Sequence, residues 1–283
     1  MQKIGRIKRT GGHTNSVLSV LPIDANGRRC HHRGVSKLPE IAQTLPYVLH
    51  RNSNDVYRSL LRMIIGGDVK PGARLPSERS LCERFGITRG VIREAIRRLE
   101  QSHVIESVQG SGHRVLDWQD TAGIDLLPDL LTASDMHDPG LVVAVMEMRS
   151  ALGPDAARLC ATVSPRESGV RLRRVIIDMM NAPDAHAKLA AQRAFWSTVI
   201  RGSGNIAYRL AYNSLTRFVE GAGPLLLAGL TSEIEYADGY KAVAAAIARG
   251  DAISAEHVAK SLLARGMVGV RGRLASSGAS VDR

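Results

Sequence analysis

LPSERSLCERFGITRGVIREAIRRLEQSHVIESVQGSGHRVL, residues Leu75 to Leu116, is the stretch whose reading decides the fold. Ser77 and Thr88 stand where two helices would start, because a hydroxyl there can accept from amides left free in the first turn. Between them Phe85-Gly86-Ile87 supplies a glycine stop and an apolar pin, so the spacing predicts helices over 77–85 and 88–101. Val91, Ile92, Ala95, Ile96 and Leu99 fall on one helical face, and Arg89, Arg93 and Arg97 recur every fourth residue on another. A helix backed by apolar side chains and fronted by arginines can lie in the major groove of DNA.

Upstream, Val56, Leu60, Leu61, Ile64 and Ile65 predict a further helix ending at Gly66-Gly67, followed by a turn through Pro71-Gly72 and a short extended piece, Ala73 to Pro76. Downstream, Val104–Val108 and His113–Leu116 flank Gln109-Gly110-Ser111-Gly112 as a β-hairpin. Three helices and this hairpin make a winged helix-turn-helix over 51–117.

The chain has 283 residues, enough for two domains at roughly 150 residues each. Its net charge of +11 is uneven: residues 1–50 carry about +6, residues 51–117 +4 and residues 118–283 only +1. The surplus lies where a polyanion partner would be met. No run reaches the ~18–20 apolar residues of a membrane helix. Cys30, Cys82 and Cys160, odd in number and scattered, fit free thiols in a reducing cytoplasm. Residues 1–50 lack periodicity and read as a basic, disordered extension. Cys30-His31-His32 has no second ligand pair to make a metal site.

After a short linker at 118–123 everything reads as helix: an all-α domain of six or seven helices over 124–270, then a disordered tail, 271–283. Expected helices include Leu141–Ala161, kinked at Gly153-Pro154, Pro165–Met180, Asp184–Ile200, Ile206–Glu220, 224–230, 231–249 and 252–268. The histidines His137, His186 and His257 share no face, and no nucleophile–base–orienter set stands out, so an enzyme is the weakest reading.

Residues 54–117 resemble the DNA-binding domain of the GntR family of bacterial transcription regulators. The resemblance rests on Pro71-Gly72…Leu75-Pro76-Ser77-Glu78-Arg79, Phe85-Gly86-Ile87-Thr88-Arg89, the run Val91–Leu99 and the glycine-rich wing. It implies DNA contacts at Arg79, Thr88, Arg89, Arg93, Gln109 and Gly110, with Gly90 and Val91 in neighbouring contact positions. Gly90 stands where the family usually has a hydroxyl residue or proline, and Ser102-His103 where it favours glycine.

The second half resembles the FCD ligand-binding domain of the FadR subgroup, on Glu147–Leu159, Phe195, Ser203-Gly204-Asn205 and Ala246–Asp251. Many such domains hold a divalent metal with an Asp, a His four residues on and two later histidines. The positions here are Gln192, Trp196, Tyr240 and Leu262, so no metal or other cofactor is expected. The resemblance implies a homodimer reading a pseudo-palindromic operator in double-stranded DNA, usually as a repressor, with no membrane partner. Its effector would bind among Arg149, Gln192, Phe195, Trp196, Asn205 and Tyr240. Trp196 beside Phe195 favours an apolar ligand, a fatty acid or acyl-CoA, and Arg149 its anionic group. The alternative is a metal-dependent sensor of a small carboxylate such as a sugar acid.

Overall fold

The computed structural model describes residues 52–133 and 138–276. The extension over 1–50 lies outside them. Helix α1, Ser53–Ile65, starts on Asn52, whose side chain accepts from the amides of Asn54 and Asp55. Helix α2, Glu78–Phe85, starts on Ser77, which accepts from the Ser80 amide at 3.2 Å, and stops on Gly86 in the left-handed region at φ 64°. The recognition helix α3 spans Arg89–Gln101. Its buried residues, Ile92, Ala95, Ile96 and Leu99, are four of the five on the apolar face expected from the sequence; Val91, the fifth, is only half-buried. Thr88 occupies the N-cap position but makes no side-chain cap bond, contrary to expectation; its carbonyl takes the Val91 and Ile92 amides while the exposed hydroxyl stays out of the helix.

The wing is an antiparallel pair, β1 (Ile105–Val108) and β2 (Gly112–Val115), in register Ile105↔Val115 to Val108↔Gly112. The extended piece before α2 joins it: the Leu75 amide donates to the His113 carbonyl, and the Val115 amide to that of Ala73. Tyr57, Leu60, Leu61, Leu81, Ile92, Leu99 and Ile105 close one core beneath these elements.

Strain in the winged helix-turn-helix, the expected reader of DNA, sits at His103, whose φ of 53° makes it the one non-glycine residue in the left-handed region among the described residues. It ends α3, with its amide on the Glu100 carbonyl and the Val104 amide on that of Leu99. A β-carbon makes this conformation costly, and the exposed imidazole makes no contact needed by the cap. His103→Gly should therefore stabilise the protein by ~0.5–1 kcal/mol, read as a higher thermal midpoint. An unchanged or lower midpoint would show that the turn is not strained.

The join is more structured than a linker. Helix α4, Trp118–Thr121, is capped by Asp117, and a single 3-10 turn, Ile124–Leu126, leads into α5, Leu127–Ala133. The sequence reading gives α5 to the second domain, but Leu126, Leu130 and Ala133 are buried in the core of the reader. Tyr57 donates its hydroxyl to Asp129 at 2.7 Å, and Arg62 Nε donates to the Ala133 carbonyl at 3.1 Å. Burial, and then the bond to Asp129, push the Tyr57 phenol up to about 12. On its other side α5 sends Leu127 and Leu131 against the helical bundle. The physical boundary thus runs through one amphipathic helix.

Seven long helices follow among the described residues: α6 (Pro139–Val163), α7 (Pro165–Met180), α8 (Ala185–Gly202), α9 (Ile206–Gly221), α10 (Gly223–Ile234), α11 (Ala237–Ala248) and α12 (Ala252–Ser276). Asp138, Asp184 and Asn205 cap α6, α8 and α9. Helix α6 carries Gly153-Pro154 inside it as one continuous helix. The break expected between 230 and 231 falls instead at 235–236, and α12 runs six residues into the segment read as a disordered tail. None of these helices is long and apolar enough to cross a membrane. Helices α6 and α12 form the axis, with Phe195, Trp196, Leu172, Tyr240 and Leu262 in one core and Val142, Met146, Phe218, Leu226 and Leu230 in another.

Candidate functional site

Two places carry chemistry, one in the winged helix-turn-helix and one in the helical bundle. On the reader, the first turn of α3 is open: Thr88, Arg89 and Gly90 are exposed, and a β-carbon on Gly90 would meet nothing within 4 Å. The arginines differ in how they are held. Arg93 Nε lies 2.9 Å from Glu78, tying α3 to α2, and Arg79 lies 3.0 Å from Glu83 within α2. Arg97 reaches Glu94 only at 3.9 Å. Arg89 has no ion pair among the described residues, so it is the cation at the helix start with no carboxylate to give up. Exposed pairs such as Arg79–Glu83 are worth ~0–1 kcal/mol, so phosphates can replace them at little cost. Val91 is half-buried and packs against the reader's core, a support beneath the surface rather than part of it. Gln109 and Gly110 are exposed at the wing tip, and Arg114 and Glu106 brace the strands behind them at 2.5 Å.

In the bundle, four of the six residues read as effector contacts lie together around a residue that sequence reasoning missed. Glu233, at the end of α10, has no solvent exposure. Arg149 from α6 holds it with a fork, Nη1 to Oε2 at 2.8 Å and Nη2 to Oε1 at 2.5 Å. Gln192 Nε2 from α8 donates to Oε1 at 3.2 Å, and the Tyr240 hydroxyl from α11 at 3.1 Å. The Arg149 side chain is 11% exposed. Although burial opposes its charge most, the adjacent Glu233 carboxylate raises its pKa overall. Burial likewise holds the Tyr240 phenol well above its ordinary range, with the Glu233 charge adding to it.

The ring of Trp196 lies 5.8 Å from the Arg149 guanidinium, and its indole N–H is buried with no hydrogen-bond partner. Beside it is a cavity of about 10 Å³ lined by Arg149, Leu152, Trp196, Ile200, Tyr212 and Leu263 among others. That is the lower limit for one water. The two remaining predicted contacts are placed otherwise. Phe195 is fully buried and packs edge-on between Trp196 and Tyr240, with centroids 5.6 and 4.9 Å away, so it is core. Asn205 is used as the α9 cap, accepting from the Tyr208 amide, and is not among the groups around Glu233. A more open groove of about 300 Å³ lies between α8 and α10, lined by Leu189, Leu227 and Ile234 among others, and contains none of the predicted residues.

The acids nearest Arg149 in sequence, Glu147 and Asp155, are engaged elsewhere: Glu147 with Arg271 at 3.0 Å, Asp155 with Arg158 and the Tyr208 hydroxyl. Glu233 was legible in principle. Leu226 and Leu230 are buried, and a step of three from Leu230 puts an acid on the same inward face.

Comparison with known proteins agrees with this two-part architecture. Residues 52–115 match the family model for bacterial regulatory proteins of the gntR family, and residues 144–265 match the FCD domain. The HTH-type transcriptional regulator Mce2R of Mycobacterium tuberculosis is 32% identical over 213 residues, covering 74% of this chain and 87% of that protein. The Glc operon transcriptional activator of Escherichia coli is 30% identical over 57% of this chain and 64% of its own length. The fatty acid metabolism regulator protein of Vibrio cholerae is 28% identical over 47% of this chain and 48% of its own length. With a winged helix-turn-helix in front, an FCD domain behind and relatives that are transcriptional regulators rather than enzymes, this chain belongs to the GntR family of bacterial regulatory proteins.

Proposed function

We propose that the chain is a homodimeric repressor that reads a pseudo-palindromic operator through α3 and the wing, and that a carboxylate-bearing apolar effector releases it. The observation that carries the effector half is the buried Arg149, set among Trp196, Leu152, Ile200 and Leu263. A forked guanidinium suits a carboxylate, the group Glu233 presents to it in the unliganded chain, and apolar walls beside it favour a ligand with a hydrocarbon body. A fatty acid or acyl-CoA meets both needs, in keeping with the name of the Vibrio relative.

On DNA, Arg89 takes a guanine edge and Arg93 exchanges Glu78 for base or phosphate. Thr88 and the backbone at Gly90 approach phosphate, while Arg79 and the tip Gln109-Gly110 hold the flanking backbone. Effector binding then lowers operator affinity by as much as the effector prefers the released state.

The test is operator binding at fixed salt with and without fatty acids of graded length, their CoA thioesters and sugar acids. A matching fatty acid or thioester should weaken binding ~5–150-fold, the usual range of such couplings. Unchanged affinity across the panel, or release by sugar acids alone, overturns the acyl assignment. A transcriptional reporter decides the sign of control, since the E. coli relative is named an activator.

A further inference from the structure

We propose that the chamber at Arg149 is a carboxylate-binding site already occupied by the protein's own Glu233, so that an acidic effector enters by displacing that side chain. The proposal rests on the effector reading above and assigns Glu233 the part of a tethered competitor.

The donor set is larger than a structural ion pair needs. Arg149, Gln192 and Tyr240 converge on Glu233 from α6, α8 and α11, and Oε1 alone takes three of the four bonds. A further donor on α8, the Trp196 indole N–H, is buried with no acceptor, in a ring whose centroid lies 5.8 Å from the same guanidinium. An orphaned buried donor is costly, and Trp196, which carries it, also lines the small cavity beside Arg149. Helix α12 makes way for the carboxylate at Gly266, where any β-carbon would collide with Glu233 Oε2. The occupant comes from the last turn of α10, a 12-residue helix followed by only two residues before α11. The adjoining cavity holds about 10 Å³, too little for any organic acid while Glu233 stays in place. A carboxylate ligand can reproduce the bonds Glu233 gives up to Arg149, Gln192 and Tyr240, so the exchange leaves these donors satisfied. It also moves the end of α10, which gives binding a structural consequence.

The test uses the full chain and acetate, whose size matches what Glu233→Ala removes beyond the β-carbon. A tethered group competes at a high effective concentration, with linkage effects of ~10²–10⁴. Glu233→Ala should therefore bind acetate about 100-fold more tightly than the natural chain, read by calorimetry or by the rise in thermal midpoint with acetate. The double variant Arg149→Met/Glu233→Ala should show no such gain. Equal acetate affinity in Glu233→Ala and the natural chain overturns the proposal, as does an equal gain in the double variant. If Glu233→Ala does not fold alone, refolding in acetate replaces the titration. Recovery specific to acetate over acetamide supports the proposal, and no recovery overturns it. The effector reading fails separately: acetate may fill Glu233→Ala while no fatty acid, thioester or sugar acid shifts operator binding of the natural chain.

Discussion

Arg149→Met should cost the protein about 3–5 kcal/mol, the usual loss when one partner of a buried ion pair is removed. The reason is what remains. Glu233 has no solvent exposure, and without the guanidinium it keeps only Gln192 and Tyr240, two neutral donors on one of its two oxygens. Against a typical domain stability of ~5–15 kcal/mol the change is about a fifth or more, so the thermal midpoint falls steeply or the bundle does not form. The pair itself is a different quantity from the cost of breaking it. Arg149→Met/Glu233→Gln keeps the volumes, removes both charges and should recover most of the loss, because a neutral pair of similar shape replaces a buried ion pair at little cost. If the single variant melts within about 0.5 kcal/mol of the natural chain, as an exposed surface change would, the pair is not buried as described.

Arg89→Ala should abolish specific operator recognition with the fold intact. A bidentate arginine–guanine contact is worth ~1–3 kcal/mol of discrimination, or ~5–150-fold in affinity per half-site, and the proposed symmetric dimer would lose it twice. The side chain is exposed and free of ion pairs among the described residues, so stability and helical content should stay within ~0.5 kcal/mol of the parent. Arg93→Ala separates less cleanly because it also cuts the 2.9 Å tie to Glu78. Titrations at one fixed salt concentration are needed, since phosphate contacts make every affinity salt-dependent. Unchanged specific binding by Arg89→Ala would remove α3 from the groove in this orientation.

The reader was almost fully legible in the sequence because its signals are local. Ser77 and Gly86 bracket α2, the apolar face of α3 repeats at helical spacing, and the glycines at 110 and 112, both at positive φ, mark the wing. The bundle was legible only in outline. Its helices were found, but the break before α11 was placed at Leu230-Thr231, where a run of leucines gives way to polar residues. The chain instead turns at Glu235-Tyr236, where no glycine or proline announces it. A break at that point puts Glu233 in the first turn of a long helix. In three dimensions it is the last inward-facing residue of a short one, 84 positions from its partner. Pairings across such distances leave no periodic trace. The allegiance of α5 was misread for a similar reason: its sequence shows two apolar edges without saying which neighbour each one meets.

That shared helix sets a rule for recombining the parts. A chimera cut at residues 118–123, where the composition invites a cut, would strip Leu126, Leu130 and Ala133 from beneath Tyr57 and leave the transplanted reader with an open floor. A cut after Ala133 would carry that floor along but deprive the remaining bundle of Leu127 and Leu131. Whichever host receives the graft must supply one matching side of α5, so these modules are interchangeable only with relatives that have kept both faces of the same seven residues.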